Sequence, residues 1–312
     1  MNWLKRLQSI FTRGYYSRRF SSVRAPSSDY LGSVRRIDNW RCLDGDDVSD
    51  DGHLIFLTPG HKTEKAIVFF HGHTNSPRQF AALGRVFSAK GYNVFIPRIP
   101  HHGLKDRMTQ DHARLTAGEM VRMCDESVDI ALGLGDKVTV VGFSMGANMS
   151  AWIGQNRSDV DKAVIIAPFW GWKRLPRVLF KVVTIFLSIW PNIFIWWDRE
   201  GKKALIGPTS SYYRFSTRGV AQIMFLGWSV MEDAGLVAPK ARAIVVISSA
   251  MDNTVNDNNL DQVVAQWQRH GSAQIKRYLF DASLGAIHDL IDPLQPYENI
   301  AVVYPKLIEL IE

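Results

Sequence analysis

Residues 142–146 read Gly-Phe-Ser-Met-Gly and follow a β-branched apolar run over 137–141. A serine between two glycines, where a strand must turn into a helix, suits a nucleophile. A sharp turn with strained backbone exposes the hydroxyl, and side-chain bulk on either side would obstruct it. The turn also places the Met145 N–H at a helix N-terminus, where it can donate to negative charge developing on an attacked carbonyl. The same pentapeptide is compatible with Ser144 as a plain helix N-cap. A serine hydroxyl needs a base to take its proton, and the base needs a carboxylate to orient it. The rest of the chain must supply both.

Two histidines lie beyond Ser144. His270 stands beside Gly271 at the end of a helical stretch, where an imidazole suits a helix C-terminus. His288 lies in Ser-Leu-Gly-Ala-Ile-His-Asp-Leu, directly after a strand pattern, and is the expected base. The expected acid is Asp252, three residues past the strand pattern over 241–249. Its rival Asp257 falls in a first helical turn, where the helix dipole already explains an acid, and Asp289 adjoins His288 too closely to fold back onto its ring. Neither G-x-G-x-x-G after the first strands nor G-x-x-x-x-G-K-[ST] anywhere is present, so the usual nucleotide-binding loops are missing.

The elements that must position these groups alternate along the chain. Strand patterns over 53–58, 65–72, 92–97, 137–142, 161–168, 241–249 and 275–281 are separated by helical spacing over 77–90, 109–134, from about 144, over 255–269 and from Pro296 to Leu310. Most of the strands are continuous apolar runs, the mark of burial on both faces. An α/β fold follows, with a mostly parallel sheet covered by helices on both faces. Ligands of such sheets sit beyond the carboxyl ends of the strands, which is where Ser144 and His288 fall.

The net charge of +7 belongs to one end of the chain. Residues 1–36 hold eight basic side chains and one acid, and the remaining 29 bases balance 29 acids. A basic tail without a nucleic-acid motif argues against nucleic acid as partner and suits peripheral contact with an anionic membrane. Trp3, Leu4, Leu7, Ile10 and Phe11 recur at helical spacing, as a short amphipathic helix would. Lys5 and Arg6 interrupt the first apolar run, so no secretory signal is expected and a cytoplasmic protein is. Cys42 and Cys124 form neither a disulfide framework nor a metal cluster.

Ser144, Asp252 and His288 in this strand context resemble the α/β-hydrolase superfamily, with the bacterial carboxylesterases and monoacylglycerol-lipase-like enzymes as the closer likeness, over residues 53–312. The resemblance implies that His71-Gly72 leads into an oxyanion hole completed by the His73 N–H beside that of Met145. His102-Gly103 matches another family loop, with His101 standing where glycine is usual, and Ser249 departs from a glycine common three residues before the acid. With the charge setting off a basic tail over 1–36, the resemblance implies a core over 37–167 and 241–312 and a cap over 168–240. That insertion is longer by tens of residues than a crossover needs and holds six of the ten tryptophans. Phe169, Trp170, Trp172, Phe186 and Trp190 are then expected to bind substrate. Residues 182–197 are uncharged but too few to span a bilayer, and Pro191 interrupts them; they read as a cap helix or an interfacial lid. The expected activity is hydrolysis of esters with uncharged short to medium acyl chains, without metal or cofactor. An interfacial lipase, a C–C bond hydrolase, an acyltransferase using the same triad or a non-enzymatic binding protein are the alternatives.

Overall fold

Strands that are unbroken apolar runs lie at the centre of the sheet, and the half-exposed ones lie at its edges. The computed structural model describes residues 20–196, 211–295 and 298–312. Helix α1 (Tyr30–Cys42) precedes β1 (Ile55–Leu57), β2 (Thr63–Phe70), α2 (Ala81–Ala89), β3 (Asn93–Ile96), α3 (Ala117–Leu134), β4 (Gly135–Phe143), α4 (Met145–Asn156) and β5 (Lys162–Ile166). An inserted region holds α5 (Arg177–Ile189), β6 (Phe194–Trp196), β7 (Arg214–Ser216) and α6 (Thr217–Asp233). The chain closes with β8 (Ala243–Ser249), α7 (Asp257–His270), β9 (Gln274–Phe280) and α8 (Ile300–Ile311).

Seven strands form one sheet in the order β1-β3-β2-β4-β5-β8-β9. β1 runs antiparallel to β3, and every other neighbouring pair is parallel. After β2 the chain goes outward to β3 and then returns to lay β4 on the other side, so the order reverses between β2 and β4. Phe70 pairs with Gly142 across that junction. The loops leaving the two strands therefore start side by side, and a crevice opens at this switch point.

The helical segment expected from residue 109 becomes an α-helix only at Ala117. Thr116 caps it, its hydroxyl accepting the Glu119 N–H while Glu119 accepts the Thr116 N–H. This reciprocal cap satisfies two of the helix's orphan donors and fixes the start.

Residues 20–28 are strapped to the core. The Ser22 hydroxyl and Val23 N–H donate to Asp125, and the Ala25 N–H donates to Asp129. The same two carboxylates pair with the fully buried Arg157 guanidinium at 2.9 and 2.6 Å. Helix α1 follows directly and runs across residue 36. The amphipathic helix expected over residues 3–11 lies outside the described residues.

Within 168–240 two layers are evident. Helix α6 packs on α4 as the crossover of the core, with Trp228 buried, and α5 rests on α6. Lys181 of α5 donates to Glu232 and sits 4.5 Å over the Trp228 ring. β6 and β7 form a small antiparallel pair beside them. Among the described residues no helix is long and apolar enough to cross a membrane. The uncharged run from 182 is divided between α5, which ends before Pro191, and β6; Trp197 lies outside the described residues.

Candidate active site

Ser144 ends β4 and caps α4 with φ +53° and ψ −108°. That conformation is strained for an L-residue. Its N–H donates to the Ile166 carbonyl of the neighbouring strand at 2.9 Å, which holds the turn in place. The two flanking glycines are required sterically. A Cβ on Gly142 would collide with the Gly146 carbonyl, and one on Gly146 would collide with the Phe70 carbonyl. Met145 opens α4, so its N–H is among those the helix leaves without an intrahelical acceptor.

His288 comes from the loop after β9. Its Nε2 lies 3.2 Å from Ser144 Oγ and its Nδ1 lies 2.7 Å from Asp252 Oδ2. Asp252, fully buried after β8, also accepts the Thr254 and Val255 N–H groups on Oδ1 at 2.7 and 3.3 Å. Lys173 donates to the Asp252 backbone carbonyl. Burial pushes the Asp252 carboxyl up, but His288 and the two N–H donors outweigh it and hold it below the ordinary aspartate value. For His288 burial disfavours the cation, yet the charges of Asp252 and Asp289 prevail and raise its pKa. The carboxylate accepts, so Nδ1 carries the proton and Nε2 presents its lone pair to the serine. Asp257 is elsewhere, bonded to Ser248 and near Lys173. His270 ends α7, which Gly271 caps in the left-handed conformation, and its ring reaches the Ala234 carbonyl.

The hydroxyl opens on a cavity of about 330 Å³. Phe169, Trp172, Phe143, Phe215, Ile223 and Ile287 supply its apolar wall, while Asn75, Gln79, Asp289 and Gln295 face it beyond His288. Phe169 and Trp172 meet edge to face at 5.3 Å. The other expected substrate contacts do not line it. Trp170 turns the opposite way, wholly buried against Trp267. Phe186 and Trp190 stack on each other at the outer end of α5, 46 % and 50 % exposed. Gly171, at φ +101°, breaks the alternation, so that Phe169 and Trp172 share the cavity while Trp170 turns to the core, and α5 turns its apolar stripe outward.

A sequence profile of the alpha/beta hydrolase family matches residues 67–300. The chain belongs to that family. A search of curated proteins gave no match. Among solved structures, this hydrolase resembles a chain described under the metagenome-derived lipolytic enzymes LipS and LipT (18 % identity over 84 % of this chain and 98 % of that one, TM-score 0.59). It also resembles the Paleococcus ferrophilus monoacylglycerol lipase (14 %, 83 % and 98 %, TM-score 0.58). The third likeness is to a soluble variant of monoglyceride lipase from Saccharomyces cerevisiae (15 %, 82 % and 88 %, TM-score 0.59). At these identities the likeness is one of fold.

In this hydrolase the loop after β2 carries His73 into the cavity wall beside Ser144 and Met145. Its ring belongs to a buried cluster. His102 Nδ1 donates to the Pro100 carbonyl, which leaves Nε2 to accept from His73 Nδ1 at 3.1 Å. The His112 ring stands 5.6 Å from that of His73, between Tyr212 and Phe194. Burial, first of all, drives all four histidines of this region down: His71 and His112 to about 4, His73 and His102 well below the ordinary value. They are neutral, and the described residues contain no group of histidines, cysteines and carboxylates able to hold a metal ion. His101 takes φ +67°, as befits a position where glycine is usual. The cavity residues missed in the sequence include Phe143, Phe215, Val220, Ile223 and Ile287 on its apolar wall and Asn75, Gln79 and Gln295 on its polar side. The sequence marks 168–240 as a cap without placing a helix over 217–233, whose first turns bring Val220 and Ile223 to the cavity.

Proposed function

We propose that this alpha/beta hydrolase cleaves carboxylic esters through an acyl-enzyme on Ser144. His288 takes the serine proton as the hydroxyl attacks the acyl carbonyl, and Asp252 aligns the imidazole and stabilises its cation. The Met145 and His73 N–H groups receive the oxyanion, a contribution of about 3 kcal/mol for each well-placed donor. Collapse of the tetrahedral intermediate expels the alcohol, which leaves with the proton from His288. Water then gives a proton to His288 as it attacks the acyl carbon, and the acid departs from a regenerated serine. The observation that carries this reading is the unbroken chain of hydrogen bonds from Ser144 Oγ to buried Asp252 at the floor of an apolar cavity.

We take 37–167 and 241–312 as core, 168–240 as cap with α6 as the crossover that joins it to the core, and 1–36 as a basic tail whose residues from 20 onward lie against that core. Phe169 and Trp172 are proposed to hold the acyl chain. Each buried methylene contributes about 0.8 kcal/mol, and a carboxylated acyl group would meet apolar walls and the Asp289 carboxylate. Uncharged acyl chains of short to medium length are the expected substrates. Hydrolysis of p-nitrophenyl esters from acetate to palmitate, beside a hemisuccinate, tests this; preference for the charged ester would overturn it.

A second reading, an interfacial lipase of monoacylglycerol type in peripheral contact with a membrane, is favoured by one observation. Val178, Val182, Phe186 and Ile189 form an exposed apolar stripe along α5. A jump in rate above the critical micelle concentration of the ester, lost on Phe186→Ser with Ile189→Ser, would establish it. Equal rates with monomeric and micellar substrate would exclude it.

A further inference from the structure

Gln79 is buried in the short turn Pro77–Phe80, which follows the loop that leaves β2. Its Oε1 accepts the Gly72 N–H at 2.8 Å, and its Nε2 donates to Asp289 Oδ2 at 2.8 Å. The amide cannot be reversed. A backbone N–H only donates, so the carbonyl oxygen must face Gly72 and the amino group must face Asp289. Asp289 must accept there, as a carboxylate does. Gly72 immediately precedes His73, and Asp289 immediately follows His288. One buried side chain therefore ties together the two loops that meet at Ser144.

The rest of the network is closed on itself. Asp289 Oδ1 accepts the Ile291 and Asp292 N–H groups, both at 3.2 Å, and Oδ2 also accepts from Gln295 Nε2 at 3.1 Å. With its acceptor sites filled, Asp289 holds its place without substrate. Burial pushes its carboxyl up, against the pull of these donors and of the His288 charge. Asp292 is buried close by and pushed up to about 6, with Arg78 and Asn75 facing it; Tyr304 of α8 faces the pair, and Glu298 stands near Tyr304. Asp252 faces His288 from the loop after β8.

We infer that Gln79 is a positioning residue, setting the oxyanion loop through Gly72 and, through Asp289, fixing a second carboxylate beside the catalytic imidazole. The oxyanion donors and the base are then aligned by one group. Neither end of the amide touches Ser144, so the effect passes through the loops. The inference rests on the ester-hydrolase reading through the nucleophilic role of Ser144 alone.

Fluorophosphonate labelling of Ser144 tests it without knowledge of the substrate. Gln79→Met, which keeps volume and removes both bonds, should slow labelling about tenfold, since misplacement well under 1 Å is costly in such sites. Asp289→Asn should move the acidic limb of the labelling rate to lower pH, because the imidazole loses a neighbouring negative charge. Gln79→Glu supplies a second carboxyl against Asp289. Its rate relative to wild type should recover as pH falls and the pair shares a proton. A plain packing role produces no such recovery, so this variant decides the matter should Gln79→Met prove unstable. Wild-type rates and an unmoved acidic limb in all three variants would overturn the inference. Absence of label in the wild-type protein would instead remove the reading of Ser144, and the inference with it.

Discussion

His288 Nδ1 lies 2.7 Å from Asp252 Oδ2, and the carboxylate is buried while the imidazole edge faces the cavity. The pair comes from loops after adjacent parallel strands, β8 and β9, so the sheet itself sets their separation. Asp252→Asn should lower kcat by about 10⁴ with little change in KM, because an amide allows the wrong imidazole tautomer. Steady-state kinetics on a soluble ester would measure this.

The pH profile follows from the same pair. As the proposed base His288 must be neutral, and its folded pKa is raised. Activity is thus fully present above that raised value and lost as pH falls through it. The acidic limb of kcat/KM should lie above the ordinary histidine value of about 6.5. A limb well below that value would contradict the charge arrangement around His288.

Stability should fall with acid because of the buried histidines. His71, His73, His102 and His112 are held neutral, with His71 and His112 lowered to about 4. The unfolded chain binds protons first, so their contribution is present above about 6.5 and lost as pH falls below that, through about 4 for His71 and His112. Asp289 and Asp292, raised by burial, offset part of this. Among the described residues, both ring nitrogens of His112 lack hydrogen-bond partners. His112→Phe should therefore flatten the fall of Tm with acid, by about 1.4 kcal/mol per pH unit at most. An unchanged slope would mean that the ring is solvated.

The strap can be tested by truncation. A chain beginning at residue 29 loses the donors from Ser22, Val23 and Ala25 to Asp125 and Asp129, at about 1 kcal/mol or more each where the acceptor is charged. It should melt several degrees below a chain beginning at residue 20, while activity per folded molecule stays within a few-fold. Equal melting temperatures would show that water replaces the strap without loss.

Much of this site is legible in the sequence because it depends on order along strands. Ser144, Asp252 and His288 each follow an apolar run, and a parallel sheet puts all such positions on one rim. The wall of the cavity is less so, since hydrophobicity does not say which way a side chain turns. Trp170 and Trp172 read alike, yet Gly171 at φ +101° sends one to the core and the other to the cavity. The exposed stripe of α5 reads as an inward face for the same reason. Helix α1 is largely polar, and its burial rests on Ser33 and Ile37 against α3, a tertiary fact. The network of Gln79 with Asp289 joins residues about two hundred positions apart, and no local pattern announces it.

Specificity should follow the aromatics that line the cavity. Trp172→Ala and Phe169→Ala should change the preferred acyl length and cut kcat/KM about tenfold or more for the best chain. Phe186→Ala and Trp190→Ala should leave hydrolysis of monomeric esters within two-fold or so. Kinetics across the ester series would distinguish the two sets, and the reverse pattern would place the acyl chain along α5.

The central claim is that Ser144 is a nucleophile activated by His288. Its most direct test is peptide mass mapping of the fluorophosphonate adduct, with labelling rates for wild type, Ser144→Ala and His288→Ala. The account predicts one adduct on the peptide containing Ser144, none in Ser144→Ala, and labelling slowed by orders of magnitude in His288→Ala. An adduct on another residue, or labelling of Ser144 at the wild-type rate without His288, would contradict it.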